Sequence, residues 1–144
     1  MLTRTKVRQA KKADTPFIID LLSANDLLIG GLDWSDIGID WWVAVHQDEI
    51  VGCVQVLPGK PLGIVNFLAV DPKFHGSGVG VQLIKTAEIL LGIAGCDGFI
   101  SATDNEVIIK KAEKLGITGL GPTNLFVKRV FRYAKDTPKN DYRH

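Results

Sequence analysis

The sequence predicts an α/β (α+β) protein, a mixed sheet with helices on its faces, and three observations lead there. The elements follow the order β-α-(loop)-β-β-β-α-β-α-β, three consecutive strands and then alternation. The run Leu62 to Val70 is almost unbroken in apolar residues, the pattern of a strand covered on both faces and therefore central to its sheet. That run passes through a glycine-rich turn, Asp71 to Gly78, into a helical pattern from Val79 to about Ile93.

The other elements follow in order. Residues 4–10 alternate weakly and end in Val7-Arg8-Gln9-Ala10, a first strand. Ala13 to Ala24 sets Phe17, Ile18, Leu21 and Leu22 at helical spacing, with Asp14 as N-cap and Pro16 in the first turn. Asn25-Asp26 and Gly30-Gly31 close that segment, and residues 30–40 have no clear period and form a loop or short helix. Trp41 to Val45 and Ile50 to Leu57 are β-rich runs separated by His46-Gln47-Asp48-Glu49, a spacing suited to an antiparallel hairpin. Pro58-Gly59-Lys60-Pro61 makes a turn. After the long helix come a strand from Gly98 to Thr103, a helix from Asn105 to Leu115 that stops at Gly116, and a last strand from Asn124 to Phe131. One domain over residues 1–134 and a polar tail over 135–144 are expected.

Composition narrows the function classes. Of 144 residues 46% are hydrophobic and 23% charged, which describes a globular chain able to close its own core. A formal charge of +1 provides no global field for DNA, RNA or an anionic membrane. Cys53 and Cys96 lie far apart and outside any C-x-x-C arrangement, against both a disulfide framework and a zinc site, so buried thiols and no metal are expected. No apolar run approaches the length of a membrane span, and the cytoplasm is the expected location.

The turn His75-Gly76-Ser77-Gly78-Val79-Gly80-Val81 carries the most chemistry. Backbone N–H groups of a first helical turn have no intrahelical partner and sit at the positive end of the helix dipole, which makes a phosphate site. Glycines at 76, 78 and 80 remove Cβ atoms that would hold a phosphate away. A nucleotide P-loop would close on Gly-Lys-Ser/Thr, but Gly80 is followed by Val81-Gln82. The dinucleotide pattern G-x-G-x-x-G fails from Gly76, because its last glycine would be residue 81. A tight strand-to-helix connection without a ligand remains open on the glycines alone.

His75-Gly76-Ser77-Gly78-Val79-Gly80, following a strand that ends in Val70-Asp71-Pro72, resembles the pyrophosphate loop Q/R-x-x-G-x-G/A of the GNAT (GCN5-related N-acetyltransferase) superfamily. His75 stands where that pattern has Gln or Arg, and a weaker or pH-sensitive phosphate contact is expected there. Val7 to Asp14 resembles the family's opening strand and helix start, and Val43-Ala44-Val45 through Ile50-Val51-Gly52 its second and third strands. Asn105 to Ile117 is similar to the signature N-E-x-A-x-x-L-Y-E-K-L-G-F of its fourth helix, and Phe126-Val127-Lys128 to its closing strand. The resemblance implies a GNAT domain: a mostly antiparallel sheet of six to seven strands, about four flanking helices, and a splay after the fourth strand.

It also implies acetyl-CoA as acyl donor and direct attack of an amine on the thioester. Leu68, Ala69 and Val70 map to the backbone that pairs with the pantetheine arm, the N–H near Leu68 being the expected oxyanion donor. His75 to Val81 map to the pyrophosphate and Asn105 to a further CoA contact. The family's frequent tyrosine acid corresponds to Ala112, and a position where some relatives carry a glutamate base to Ile64, so neither usual proton carrier is present. His46 is a candidate base, with solvation at a hairpin as its alternative. Asp33, Trp34, Asp36 and Asp40 are candidates for holding a cationic amine, or form a solvated loop. Trp41 and Trp42 could wall that pocket, although one of them must face the core of a strand. Ser101 and Thr103 are candidates beside the thioester, or packing positions.

Three classes of function follow: an acetyltransferase acting on a small amine or a protein amino group, a GNAT-like acyl-CoA-binding module without turnover, and a nucleotide-binding α/β module. The expected partners of the first are acetyl-CoA and an amine, as a monomer or homodimer, without nucleic acid or membrane.

Overall fold

The computed structural model describes residues 5–27, 37–102, 118–120 and 125–129. In chain order these form β1 (Lys6–Gln9), α1 (Thr15–Ala24), β2 (Trp41–His46), β3 (Glu49–Leu57), β4 (Leu62–Val70), α2 (Val79–Ile93), β5 (Gly98–Ala102), β6 (Thr118–Leu120) and β7 (Leu125–Arg129). The sheet order is β1-β2-β3-β4-β5-β7-β6. Among the described residues β4 is the fourth of seven strands, an inner position that suits its apolar run. The sequence reading contained no strand at Thr118–Leu120; three residues are too few to show a period. The expected helix from Asn105 to Leu115 and the tail from 135 lie outside the described residues.

The chain divides into two compact units, Met1–Val56 with Phe67–Ala87 and Leu57–Asn66 with Glu88–His144. In the first, β1 to β3 pair antiparallel, with Val7 opposite Ala44 and Val43 opposite Cys53. The connection between β2 and β3 is shorter than the sequence reading had it. His46 and Glu49 face each other in the ladder, and only Gln47 and Asp48 form the loop, at φ 50° and 64°. Two consecutive left-handed residues are what a two-residue hairpin of this twist needs. The core gathers Ala10, Ile18, Leu21, Leu22, Ile37, Trp41, Val43, Cys53 and Ala69, so one stripe of α1 is sealed against alternate residues of the strands.

Asp14 caps backward. Its carboxylate accepts the Lys11 N–H at 2.7 Å and a bidentate pair from Arg8 at 2.7 and 3.0 Å, and makes no cap bond to α1. The hydrogen bonds from Arg8 hold its carboxyl below the ordinary value of 3.8, against the opposing effect of burial. Pro16 occupies the first turn of α1, as expected. At the other end Asn25 Nδ2 donates to the Leu21 carbonyl at 2.8 Å, satisfying one of the orphan carbonyls of the last turn.

In the second unit β4 and β5 run parallel, Leu62 opposite Gly98 and Ile64 opposite Ile100, and β5 continues antiparallel with β7 from Gly98↔Arg129 to Ala102↔Leu125. Gly63 is required there by space: a Cβ would lie 2.7 Å from a Leu91 methyl and 2.8 Å from the Leu57 carbonyl. Cys96 is buried and free, accepting the Gly59 N–H at 3.5 Å.

Candidate acyl-donor site

The site is built from the end of β4 upward. Within β4 Phe67 lies at φ 54°, a left-handed conformation that costs a bulky residue on the order of 1–3 kcal/mol. Phe67 and Ala69, two residues apart, both pack with the cluster around α1. Phe67 stacks on Trp41 with ring centroids 5.3 Å apart and 23° between planes. Its carbonyl accepts the Cys53 thiol at 3.6 Å. Burial pushes that thiol up to about 12, against a smaller opposing contact from the Ala69 backbone, so Cys53 is a neutral donor and not a nucleophile.

β4 ends at Val70, whose carbonyl accepts two side-chain donors, Asn25 Nδ2 at 3.0 Å and His75 Nε2 at 2.8 Å. An acceptor carbonyl fixes the proton of His75 on Nε2. The histidine in place of Gln or Arg thus ties the glycine turn to the strand end. Val70 has both lone pairs of its carbonyl engaged within the protein.

The turn from Asp71 is self-supporting. The Asp71 carboxylate accepts the Lys73 N–H at 2.9 Å, and the Phe74, His75 and Ser77 amides donate to Asp71, Pro72 and Phe74 carbonyls at 2.7, 3.2 and 3.1 Å. The Ser77 hydroxyl also donates to the Phe74 carbonyl. Gly76 and Gly78 then turn the chain at φ 80° and 97°, exposed and with no atom within 4 Å of where a Cβ would stand. The helix ladder starts with Gln82 donating to Gly78 at 3.0 Å, so the Val79, Gly80 and Val81 amides precede the first helical donor. Six of the seven residues read together from the sequence separate into two groups, with Gly76 serving as a bend. His75 and Ser77 spend their amides on building the turn, and Gly78 to Val81 present theirs.

Structure and sequence agree less on the side chains. His46 lies at the end of β2, its Nδ1 3.0 Å from the Thr5 hydroxyl and its ring edge-on to Phe74 at 5.4 Å. Asp71 donates its amide to Val51 at 2.8 Å, and this register sets His46 about 20 Å along the strands from Phe67. It stands at the turn and not at the kink. Of the tryptophans, Trp41 is the core residue at 1% exposure and Trp42 is half-buried. Asp40 closes a 3₁₀ turn at Gly38–Asp40 immediately before β2 and is half-buried; Asp33, Trp34, Asp36, Thr103, Asn105 and Ala112 lie outside the described residues. Ile64 is 41% exposed on β4, and Ser101 pairs with Phe126. The kink at Phe67 and its contact with the buried Cys53 were not found from the sequence; neither residue type announces a left-handed residue in a strand.

β4, kinked at Phe67, thus runs through a glycine turn into the start of α2. Residues 38–129 match the family described as acetyltransferase (GNAT) domain, and the chain belongs to that family. N-acetyl transfer is the general activity the family supports. No curated protein sequence matches the chain. Among solved structures it is similar to N-acetylglutamate synthase from Neisseria gonorrhoeae, complexed with coenzyme A and L-arginine, at TM-score 0.77 and 19% identity over 89% of this chain. The chain spans 34% of that relative's length. It is also similar to Ard1 from Thermoplasma volcanium (TM-score 0.72, 15% identity, 88% of this chain and 98% of that one). The ribosomal-protein-S18-alanine N-acetyltransferase from Escherichia coli gives TM-score 0.70 and 12% identity over 93% and 99% of the two chains. At these identities the likeness is one of fold. No helix among the described residues is long and apolar enough to cross a membrane.

Proposed function

We propose that residues 1–134 act as one cytoplasmic acyltransferase domain that moves an acetyl group from acetyl-CoA to a primary amine, of a small molecule or a protein, by direct attack. The observation that carries this reading is the pairing of a left-handed kink in β4 with first-turn amides at the start of α2. The charged and the neutral parts of the donor need different partners. Its pyrophosphate takes the Gly78 to Val81 amides at the positive end of a 15-residue helix. Its pantetheine takes the strand backbone at Leu68 and Ala69, and the Leu68 N–H, just past the kink, faces the developing charge on the thioester oxygen. Position supplies much of the rate where no side chain carries the proton. The amine is a cation recruited by Asp33, Asp36 or Asp40 beside Trp34. Melting the protein with acetyl-CoA, ATP or NAD tests the donor: stabilisation by acetyl-CoA alone is expected, and equal or greater shifts with ATP or NAD refute it. Free thiol released from acetyl-CoA across an amine library then identifies turnover.

A second reading, an acyl-CoA-binding module without turnover, is favoured by one observation. Ile64 presents an exposed apolar side chain at the position where a carboxylate base would stand. Stabilisation by acetyl-CoA with no thiol release for any amine would select it.

A further inference from the structure

The kink of β4 is held from two sides. A bulky residue leaves the left-handed region when its surroundings allow, because its Cβ crowds the neighbouring backbone. Phe67 at φ 54° is met by side chains from two other strands. Trp41, the first residue of β2, covers its ring at 5.3 Å, and Cys53, in the middle of β3, donates to its carbonyl at 3.6 Å. Both supports are buried, Trp41 at 1% and Cys53 at 0%. Among the described residues the Trp41 indole N–H has no acceptor, and its contact with Phe67 is made by the face of the ring.

We propose that Trp41 and Cys53 are positioning residues that lock Phe67 at positive φ and thereby fix the direction of the Leu68 backbone N–H. The kinetic consequence rests on the acyl-transfer reading above; the conformational one stands without it. Glycine separates the two, because it adopts positive φ with no support.

The experiment reads the backbone of residue 67 by NMR, as the short intraresidue HN–Hα distance of positive φ, together with CoA affinity and kcat. Trp41→Leu is expected to relax residue 67 and to lower kcat by roughly a hundredfold, the scale of a misplaced reacting geometry, with CoA affinity little changed. Cys53→Ala acts in the same direction and more weakly. Adding Phe67→Gly to either variant should restore both readouts, and the conservative Trp41→Phe and Cys53→Ser should retain most of what the truncations lose. A merely structural role would lower melting temperature without this rescue. If Trp41→Leu does not fold, Phe67→Ala against Phe67→Gly decides: alanine should leave positive φ and glycine keep it. The proposal is overturned if residue 67 stays at positive φ in the truncated variants, or if glycine fails to restore kcat. Absence of turnover in the wild type would refute the acyl-transfer reading, while the NMR comparison still decides the proposal.

Discussion

At Gly76 and Gly78 the chain enters positive φ with residues that carry no Cβ, in open space and at the surface; at Phe67 it does so with an aromatic ring in contact with the core. The first region follows from residue type alone, since glycine takes up that conformation wherever a turn calls for it. The second follows only from its surroundings, the stack with Trp41 and the thiol of Cys53. One consequence is that substitutions in the turn should act on the ligand, whereas substitutions around β4 should act first on the protein.

The largest effect is expected at the turn. Gly78→Asp places a carboxylate where the pyrophosphate is proposed to sit and should weaken CoA binding by roughly a hundredfold or more, about 2.7 kcal/mol, in calorimetry. Gly78→Ala adds no charge and meets no atom within 4 Å, so only the strain of its φ of 97° remains. It should cost on the order of 1 kcal/mol of stability. Equal CoA affinities for the two variants would remove the anion site from this turn.

Behind β4 the expected effect is on folding. A Cβ on Gly52 would lie 2.9 Å from Leu83 Cδ1, 3.0 Å from Val79 Cγ1 and 3.3 Å from the Ala69 carbonyl, all inside the packed face between β3 and α2. Gly52→Ala should therefore destabilise by about 1–3 kcal/mol in urea unfolding, the usual cost of overpacking. An unchanged midpoint would mean that α2 can move away from the sheet there, and the core around the kink would then be softer than its burial indicates.

The contrast also marks what could be read from the sequence. The glycine turn, the central strand and the start and end of α2 were legible, because glycine, an apolar run and a 3.6-residue period each carry their own conformation. The kink was not: Asn66-Phe67-Leu68 contains no glycine or proline, and its left-handed residue is met by partners on β2 and β3. The surroundings of the histidines were not legible for a related reason. His46 and His75 were judged by chemistry, while their places depend on the two-residue hairpin and on the doubly accepting Val70 carbonyl.

A smaller effect tests whether distant anchors of the first unit reach the ligand. Arg8 and Asp14 clamp the end of β1, where Ala10 donates to the Trp41 carbonyl at 2.8 Å. Asp14→Asn should lower stability by about 1 kcal/mol, kept modest because Arg8 is 36% exposed, and leave CoA affinity unchanged. The carboxyl is depressed in the folded state, so its contribution is complete above the ordinary 3.8 and is lost as pH falls through the lower native value. The stability gap between wild type and Asp14→Asn should accordingly close on acidification below about pH 4. A gap that widens in acid would reverse the assignment of the ion pair.

The smallest effect is expected at Gly80, the third glycine of the turn, and it tests where the ligand-serving region ends. Unlike Gly76 and Gly78, Gly80 lies inside α2, and a Cβ there would approach Val70 Cγ2 at 3.7 Å, an ordinary contact. Neither strain nor overpacking opposes alanine. Alanine in a helix is favoured over glycine by about 0.5–1 kcal/mol, chiefly through the conformational entropy glycine loses on folding. The added methyl would pack on Val70, at the end of β4, and leave the first-turn amides open. Gly80→Ala should therefore raise stability by up to about 1 kcal/mol and change CoA affinity by less than about threefold. A gain in stability accompanied by a loss of affinity beyond about tenfold would show that the pyrophosphate approaches residue 80 more closely than its Cβ direction indicates. The third glycine would then belong with Gly76 and Gly78, serving the ligand, and the boundary between the two regions would move one turn into α2.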